Sequence, residues 1–394
     1  MNRSDFPLLG KYPGLIYLDS ACTSLKPEQV IEAEASYYRK LGGCAGRSSH
    51  SLGRKTNEKL EQSRERIAGF VNAEPEGMVW TRNTTEALNL LAGSFDFSER
   101  KKVVTTVMEH HAVLLPFMRL RDRGVIELEV LGCDEEGRIV SEKWEQSVDK
   151  DTALVVTNSG NNTTGHRQDV AALSRLAHDN GALICVDGAQ GVAHHRTDFR
   201  KEGCDFLCFS AHKMLGPTGI GAFAAKKDLL EKMQPFIVGG GIVKTLNLEN
   251  ADYMQGHSRF EAGIQDYAGI IGFAAACDYL DSLGMENVEE HERKLARELV
   301  EQLRNAGAEI YGGFSESSAA LCSFNFKNGK PHDVALMLDK QGVALRSGFF
   351  CAQPAMEAMG AKQGAVRASG YVYNSVEEIK KFGEKLEHIS ALYQ

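Results

Sequence analysis

Four short polar stretches hold the side chains best suited to chemistry. In "SAHKMLGPTGIG", Lys213 follows the apolar run "CDFLCFS", is flanked by Ser210 and His212, and precedes a Gly216-Pro217-Thr218-Gly219 turn that stiffens its backbone. In "VDGAQG", Asp187 ends the run "ALICV" and passes directly into glycine. In "RNTTEALNLLAG", Asn83, Thr84 and Thr85 open an apolar-periodic helix. Hydroxyls and free backbone N–H groups therefore collect at a positive helix end, an anion or phosphate site. In "RSGFFCAQP", Cys351 stands five residues after Arg346 and behind two phenylalanines. An amine, an acid, an anion cradle and a thiol are thus available. Each also has a plainer reading: Lys213 as a solvated charge, Asn83 with Glu86 as a capping box, and Cys351 as a loop filler.

The elements that must carry these groups are legible in the surrounding text. From about residue 60, short β-rich runs ("GMVWT", "KVVTTV", "IELEVL", "TALVVTN", "ALICVD", "CDFLCFS", "GIGAFAA") alternate with helical periodicity such as Val170 to Asn180. Strands alternating with helices predict an α/β fold with a mostly parallel central sheet flanked by helices. The polar clusters follow the C-terminal ends of those strands, where open α/β sheets bind ligands. After about Ala262 the pattern changes to long helices, Gly269 to Leu283 and Val288 to Ala306. Strand-like runs follow at Ala319 to Phe326 and Ala344 to Leu345, with a last helix from Val376. The expected division is a large α/β domain over 15–262 and a smaller α+β domain built from 1–14 and 263–394, sharing a cleft.

Composition narrows the function further. The 394 residues are 43% hydrophobic and 25% charged, with 53 acidic against 45 basic side chains and a formal charge of −8. No long run of one sign offers a footprint for nucleic acid or an anionic membrane, and no apolar run approaches the ~20 residues of a membrane span. Small-molecule partners and a cytoplasmic location are expected. Nine scattered cysteines without a CxxC pair suggest neither a disulfide framework nor a zinc site. Cys185, Cys208 and Cys322 sit in apolar runs and read as small buried hydrophobes. Adjacent His110 and His111 point opposite ways on an extended segment, so no metal site is expected there.

A lysine and an aspartate on neighbouring strands beside a phosphate cradle suit pyridoxal phosphate, whose aldehyde takes the amine and whose ring nitrogen pairs with the acid. The chain also resembles the cysteine desulfurases of the aminotransferase class V family, fold-type I pyridoxal phosphate enzymes. The resemblance rests on "YLDSACTSLKPEQV", "MEHHAVLLPF", "VDGAQ", "SAHKMLGPTGIG", "RFEAG", "RSGFFCAQP" and "VRASGYVYN", in the family's order. It implies Lys213 as the cofactor-bearing lysine, Asp187 at the pyridine nitrogen and Gln190 near the ring oxygen. His110 stacks on the ring and relays protons, and Thr84, Thr85, Ser210 and His212 hold the phosphate. Asn162 sits near substrate and cofactor, Arg346 and Arg367 near the substrate carboxylate, with a structural ion pair as the alternative for Arg346. Cys351 takes sulfur from L-cysteine as a persulfide, and alanine leaves.

A free thiol is only about 3% ionised at pH 7 and needs cations to become a nucleophile. Arg346, the cofactor or His110 are the expected sources, with Phe349 and Phe350 acting against them. The short Arg346–Cys351 spacing resembles the group with a tight cysteine loop, which implies a sulfur-acceptor or scaffold protein, for iron-sulfur cluster or other sulfur biosynthesis. The family's homodimer is expected too, although Ile264 stands where the family commonly has a threonine reaching the neighbouring subunit's phosphate. Phe349 and Phe350 likewise replace two histidines, and substrate contacts from Arg47 and His50 are further expectations. These departures leave open a selenocysteine lyase or another C–S lyase, a class V aminotransferase, or a non-catalytic paralogue that binds the cofactor.

Overall fold

The computed structural model describes residues 2–46, 48–313, 315 and 318–393. Arg47 lies outside them. A seven-stranded sheet forms the centre, in the spatial order Met78–Thr81, Gly221–Ala225, Phe206–Ser210, Leu183–Asp187, Thr152–Asn158, Lys102–Thr106, Glu127–Leu131. Gly221–Ala225 runs antiparallel to both neighbours, and every other pairing is parallel. Six strands therefore end at the same edge.

Every residue of Thr152–Asn158 and of Phe206–Ser210 is buried, which is why these segments read as continuous apolar text rather than as an alternation. Successive side chains feed opposite layers. Val104, Val155, Ile184 and Leu207 pack with Ile270 and Phe273 of the helix Tyr267–Leu283. Val103, Leu154, Cys185 and Cys208 pack with Leu88 and Leu91 of Thr84–Ser94 and Phe117 of His111–Asp122. The core cysteines are thus small apolar fillers, as their neighbours in sequence indicate.

A second, antiparallel sheet of four strands follows, in the order Glu309–Tyr311, Leu321–Asn325, Ala365–Ser369, Arg346–Gly348. The helices Met285–Asn305 and Val376–Ser390 back it through Leu295, Leu299, Phe382 and Leu386. The expected run at Ala344–Leu345 proves to be two short strands. Val343–Ala344 pairs in parallel with Ile16–Tyr17, and Arg346–Gly348 pairs with Ala365–Arg367.

Ile16 and Leu18 belong to the core of this second part, whereas Ile270, Phe273, Met285 and Val288 belong to the core of the central sheet. We propose on that basis that the two domains divide after Leu18 and within the helix Met285–Asn305, not at residues 14 and 262. That long helix buries its first turn against one core and the rest against the other. Among the described residues no helix is long and apolar enough to cross a membrane.

Candidate active site

Every site residue named from the sequence, from Thr84 to Arg367, lines one cavity of about 270 Å³ at the shared strand edge, closed on its far side by the Cys351 loop. His50 is not among its lining residues. It caps the helix Ser51–Phe70 instead, its Nδ1 accepting from the Gly53 N–H at 3.1 Å.

One end of the cavity is a built anion cradle. Asn83 caps the helix Thr84–Ser94 by accepting from the Glu86 N–H at 3.0 Å. Only half of the expected capping box forms, because the Glu86 carboxylate turns back to the Arg82 N–H and guanidinium. Ser210 Oγ takes the Thr84 N–H at 2.8 Å and shares a second hydrogen bond with the Thr84 hydroxyl at 2.6 Å. The hydroxyl of exposed Thr85 has no partner among the described residues. Gly221 lets its strand approach this helix end: a Cβ there would lie 2.6 Å from Phe209 O and 2.9 Å from Asn83 Cα.

At the centre stand Lys213 and Asp187. The short turn Ala211–Lys213 is pinned at His212 O by the Ser24 N–H (3.0 Å), the Ser24 hydroxyl (2.9 Å) and Lys26 Nζ (3.1 Å). Burial pushes the Lys213 amine below its ordinary range, Asp187 opposes that shift, and Arg367 adds to it. Burial pushes the Asp187 carboxyl up, while Lys213 and the Ala189 N–H, donated at 2.9 Å, hold it down. Neither pairs directly with the other, so both stay free for a ligand placed between them.

The histidines around them are neutral. His110 is lowered to about 3, by burial first and then by Lys213, His111 and Arg367. Its Nδ1 accepts the Ala112 N–H at 3.0 Å as cap of the helix His111–Asp122, so the ring proton sits on Nε2. His212 is lowered to about 4 by burial and by Lys213. Gln190 is buried, its Nε2 donating to Ala21 O at 2.9 Å.

The two arginines are not equivalent. Exposed Arg346 is taken up by Asp19, from Nε to both carboxylate oxygens at 3.2 Å and from Nη2 at 2.7 Å, and it also touches the Cys22 thiol. The structural ion pair is thus what this arginine forms. Arg367 is 3% exposed, donates from Nη1 to Asn162 O at 2.8 Å and stacks on the Phe350 ring at 4.8 Å. Its buried Nε has no partner among the described residues, the state of a group kept for a ligand.

Cys351 is exposed, on a turn closed by the Ala352 N–H donating to Phe349 O at 2.8 Å. Phe350 and Cys351 both have φ of 55°, a left-handed pair that glycine or asparagine normally fills in such a mirror-image turn. Asn162 Nδ2 holds Phe350 O at 2.8 Å and the His111 N–H holds Cys351 O at 2.7 Å. Phe350 therefore packs the arginine, while Phe349 packs with Tyr311 and Met356. The cations expected to act on Cys351 change accordingly. Arg346 is matched by Asp19 and His110 is neutral, and the cations in electrostatic contact with Cys351 are Lys213 and Arg367.

Several residues escaped the sequence reading, some lining the cavity (Cys22, Asn158) and some holding the residues that line it (Asp19, Glu109). Asp19 and Cys22 come from "LDSACTS", within a stretch already noted for its resemblance. Buried Glu109, raised to about 8 by burial, is held by Thr106 at 2.8 Å and by Asn158 at 3.0 Å. The Asn158 Oδ1 is buried without a partner among the described residues, and Asn158 lines the cavity. An acid beside the His110-His111 pair was the available signal for Glu109.

An anion cradle at a helix end, a buried amine opposite a buried acid, and a partnerless guanidinium nitrogen fit pyridoxal phosphate with an amino-acid substrate. Comparison with known proteins agrees. The family model "Aminotransferase class-V" matches residues 16–382. A probable cysteine desulfurase of Methanothermobacter thermautotrophicus is 38% identical over 99% of this chain and 98% of its own length. A cysteine desulfurase of Cronobacter sakazakii is 37% identical over 99% of this chain and 98% of its own. Among solved structures, the apo cysteine desulfurase of Thermococcus onnurineus superposes with a TM-score of 0.94 at 36% identity, covering 99% of this chain and 97% of that one. The cysteine desulfurase CsdA of Escherichia coli, solved as the S-sulfonic acid, gives 0.92 at 30% identity, covering 100% of this chain and 98% of that one. With the match running from the first strand to the last helix, the chain belongs to the aminotransferase class-V family.

Proposed function

We infer that the chain is an enzyme, a pyridoxal phosphate-dependent cysteine desulfurase that converts L-cysteine to L-alanine and keeps the sulfur on Cys351. The observation that carries this is the common cavity: Lys213 and Cys351 line it together with an anion cradle and a buried acid. When bound, the cofactor supplies a carbonyl for the substrate amine and a ring that takes up the electron pair left at Cα.

The residues divide the remaining work. Ser210, Thr84, Thr85 and His212 would hold the phosphate, Asp187 the ring nitrogen and Gln190 the ring oxygen. Neutral His110 would offer its Nε2 proton to the bound cofactor and substrate. Lys213, weakened as a cation by burial, accepts the Cα proton from the substrate. Arg367 takes the substrate carboxylate through its free Nε, and Asn162 ties that arginine to the cysteine loop. Arg346 sets the entrance through Asp19. The Cys351 thiolate attacks the substrate sulfur: an S–S bond forms, the C–S bond breaks, its electron pair remains on carbon and takes up a proton to make the methyl group, and Lys213 returns the proton it took from Cα to complete alanine.

Exposed Cys351 suits hand-over of the persulfide to a sulfur-acceptor or scaffold protein, with iron-sulfur cluster assembly in the cytoplasm as the process served. A pairing of two copies is the reading we propose, supported by large exposed apolar side chains: Leu246, Leu248 and Ile264 are 71%, 108% and 74% exposed. Sedimentation as a stable monomer would refute that pairing, and turnover indifferent to every added acceptor protein would refute the hand-over.

The deciding experiment incubates wild type and Cys351→Ala with L-cysteine and a thiol reductant. Equal alanine and sulfide from wild type, with the cofactor's visible band intact but no product in the variant, is expected. Undiminished turnover in Cys351→Ala would move the reading to another C–S lyase.

A further inference from the structure

Behind Gln190 lies a polar chain that the chemistry above does not use. Gln190 and His194 are four residues apart around the single turn Gly191–His194, which brings their side chains together. Gln190 Nε2 donates to Ala21 O at 2.9 Å, and Gln190 Oε1 lies 3.1 Å from His194 Nε2. His194 Nδ1 in turn lies 2.8 Å from Glu292 Oε1. Glu292, 2% exposed, comes from the helix Met285–Asn305, and its other oxygen takes the Ala320 N–H at 3.3 Å. The Tyr371 ring closes edge-on over His194 at 4.9 Å.

Hydrogen-bond complementarity fixes the protons. Ala21 O can only accept, so the Gln190 amide must put its nitrogen there and its oxygen toward His194. That oxygen can only accept, so His194 Nε2 carries a hydrogen. A neutral ring then has a bare Nδ1, which cannot meet an ionised carboxylate lone pair to lone pair. One further proton sits between them, as imidazolium with carboxylate or as imidazole with carboxylic acid.

We propose that the Glu292–His194 pair stores this proton and acts as a positioning device that locks the Gln190 amide with its nitrogen toward the cofactor cavity. Gln190 lines both that cavity and a second one of about 230 Å³ that contains His194 and Glu292. The only bond of Gln190 Nε2 among the described residues goes to Ala21 O, which leaves its second hydrogen for a ligand. Facing the pair in the second cavity are Arg167, Glu289, Arg293 and His195. Arg167 is 3.8 Å from Glu289, and His195 is neutral, lowered to about 3 chiefly by burial. A donor at the cavity edge favours the anionic form of a cofactor ring oxygen, whereas an inverted amide would repel it. This last step alone rests on the cofactor reading.

Two measurements test the proposal. With nitrogen-15 histidine, ring correlation spectra of the cofactor-free full chain are recorded from pH 6 to 9, with His194→Gln as the assignment control. A protonated Nε2 throughout, with Nδ1 protonated or hydrogen-bonded, is expected; a bare Nε2, or a bare Nδ1 free of any hydrogen bond, overturns the proposal. In the pyridoxal phosphate-loaded protein, His194→Phe is expected to raise the pH midpoint of the visible absorption change by about one unit, roughly a tenfold shift. His194→Gln, whose amide can still donate to Gln190, should return it toward wild type. A wild-type midpoint in His194→Phe refutes the positioning role. A wild-type protein that develops no cofactor band refutes the cofactor reading instead, and the nitrogen-15 spectra still judge the stored proton.

Discussion

Asn162→Ala should uncouple sulfur transfer from the chemistry at the substrate Cα. The turn that presents Cys351 places two non-glycine residues, Phe350 and Cys351, in the left-handed region, at about 1–2 kcal/mol each. Opposing this are three hydrogen bonds: Ala352 N–H to Phe349 O, His111 N–H to Cys351 O, and Asn162 Nδ2 to Phe350 O. Each is worth about 0.5–1.5 kcal/mol net. The Arg367–Phe350 stack adds about 0.5–2 kcal/mol. Strain and restraint are of similar size, so the turn is held only while its tethers are complete.

Alanine at 162 removes one tether and leaves Phe350 O unpaired, yet keeps the backbone carbonyl that anchors Arg367. A loss near the low end of the ~1–3 kcal/mol for such a group corresponds to about tenfold. The assay follows sulfide and alanine, which need Cys351, beside exchange of the substrate Cα hydrogen in deuterated water, which needs Lys213. Product formation should fall about tenfold while exchange stays within about twofold. Equal falls in both would make Asn162 a substrate or cofactor ligand first. An unchanged rate of both would show that the turn holds itself.

Arg64 and Glu261 form a buried two-bond pair at 2.8 and 2.9 Å, so Arg64→Ala should destabilise the fold by about 3–5 kcal/mol in chemical denaturation, and a change below about 1 kcal/mol would contradict the pairing. Gly221→Ala presses a methyl on Phe209 O and Asn83 Cα and should weaken cofactor uptake at least about tenfold by absorbance titration, with unaltered affinity counting against the cradle. His110 stays neutral down to about 3 in the fold while an unfolded histidine protonates near 6.5, so acidification below 6.5 favours the unfolded chain and stability falls with pH. His110→Asn keeps a cap acceptor for Ala112 but cannot titrate; its Tm should decline less steeply than wild type from pH 6.5 to 5, and equal slopes would rule the histidine out.

Much of the central sheet was legible because its strands are buried on both faces and announce themselves as apolar runs. Lys213, Asp187 and Thr84 were legible for a related reason: each ends its strand or follows it within a few residues, so strand and site are read in one stretch. What was hidden depends on contacts between distant segments. Asp19 and Arg346 are 327 residues apart, and they meet because Ile16–Tyr17 pairs with Val343–Ala344 and Asp19 bridges Ser369. The left-handed turn was hidden for the opposite reason, since Phe-Cys carries none of the glycine or asparagine that marks such turns. A boundary inside one uninterrupted helix, as proposed above for Met285–Asn305, leaves no mark in the sequence, because the same helix serves two cores.

The charges of the cavity explain why its two arginines have different tasks. At the inner end, burial drives the Lys213 amine and the Asp187 acid toward their neutral forms, and His110 and His212 are neutral already. A phosphate entering there meets hydroxyls and a helix end. At the outer end Arg346 and Asp19 form a pair whose charges cancel, leaving Arg367, 3.7 Å from the same aspartate and with an idle Nε, as the cation whose hydrogen bonds are incomplete. On the proposed function a substrate carboxylate would complete that set, its charge offsetting a cation that burial has already lowered to about 10. Because Arg367 also stacks on Phe350, the group proposed to grip the substrate and the turn that carries Cys351 are one packed unit. Substrate binding would then brace the thiol, which offers a reason for an aromatic ring at a position where the family commonly has histidine.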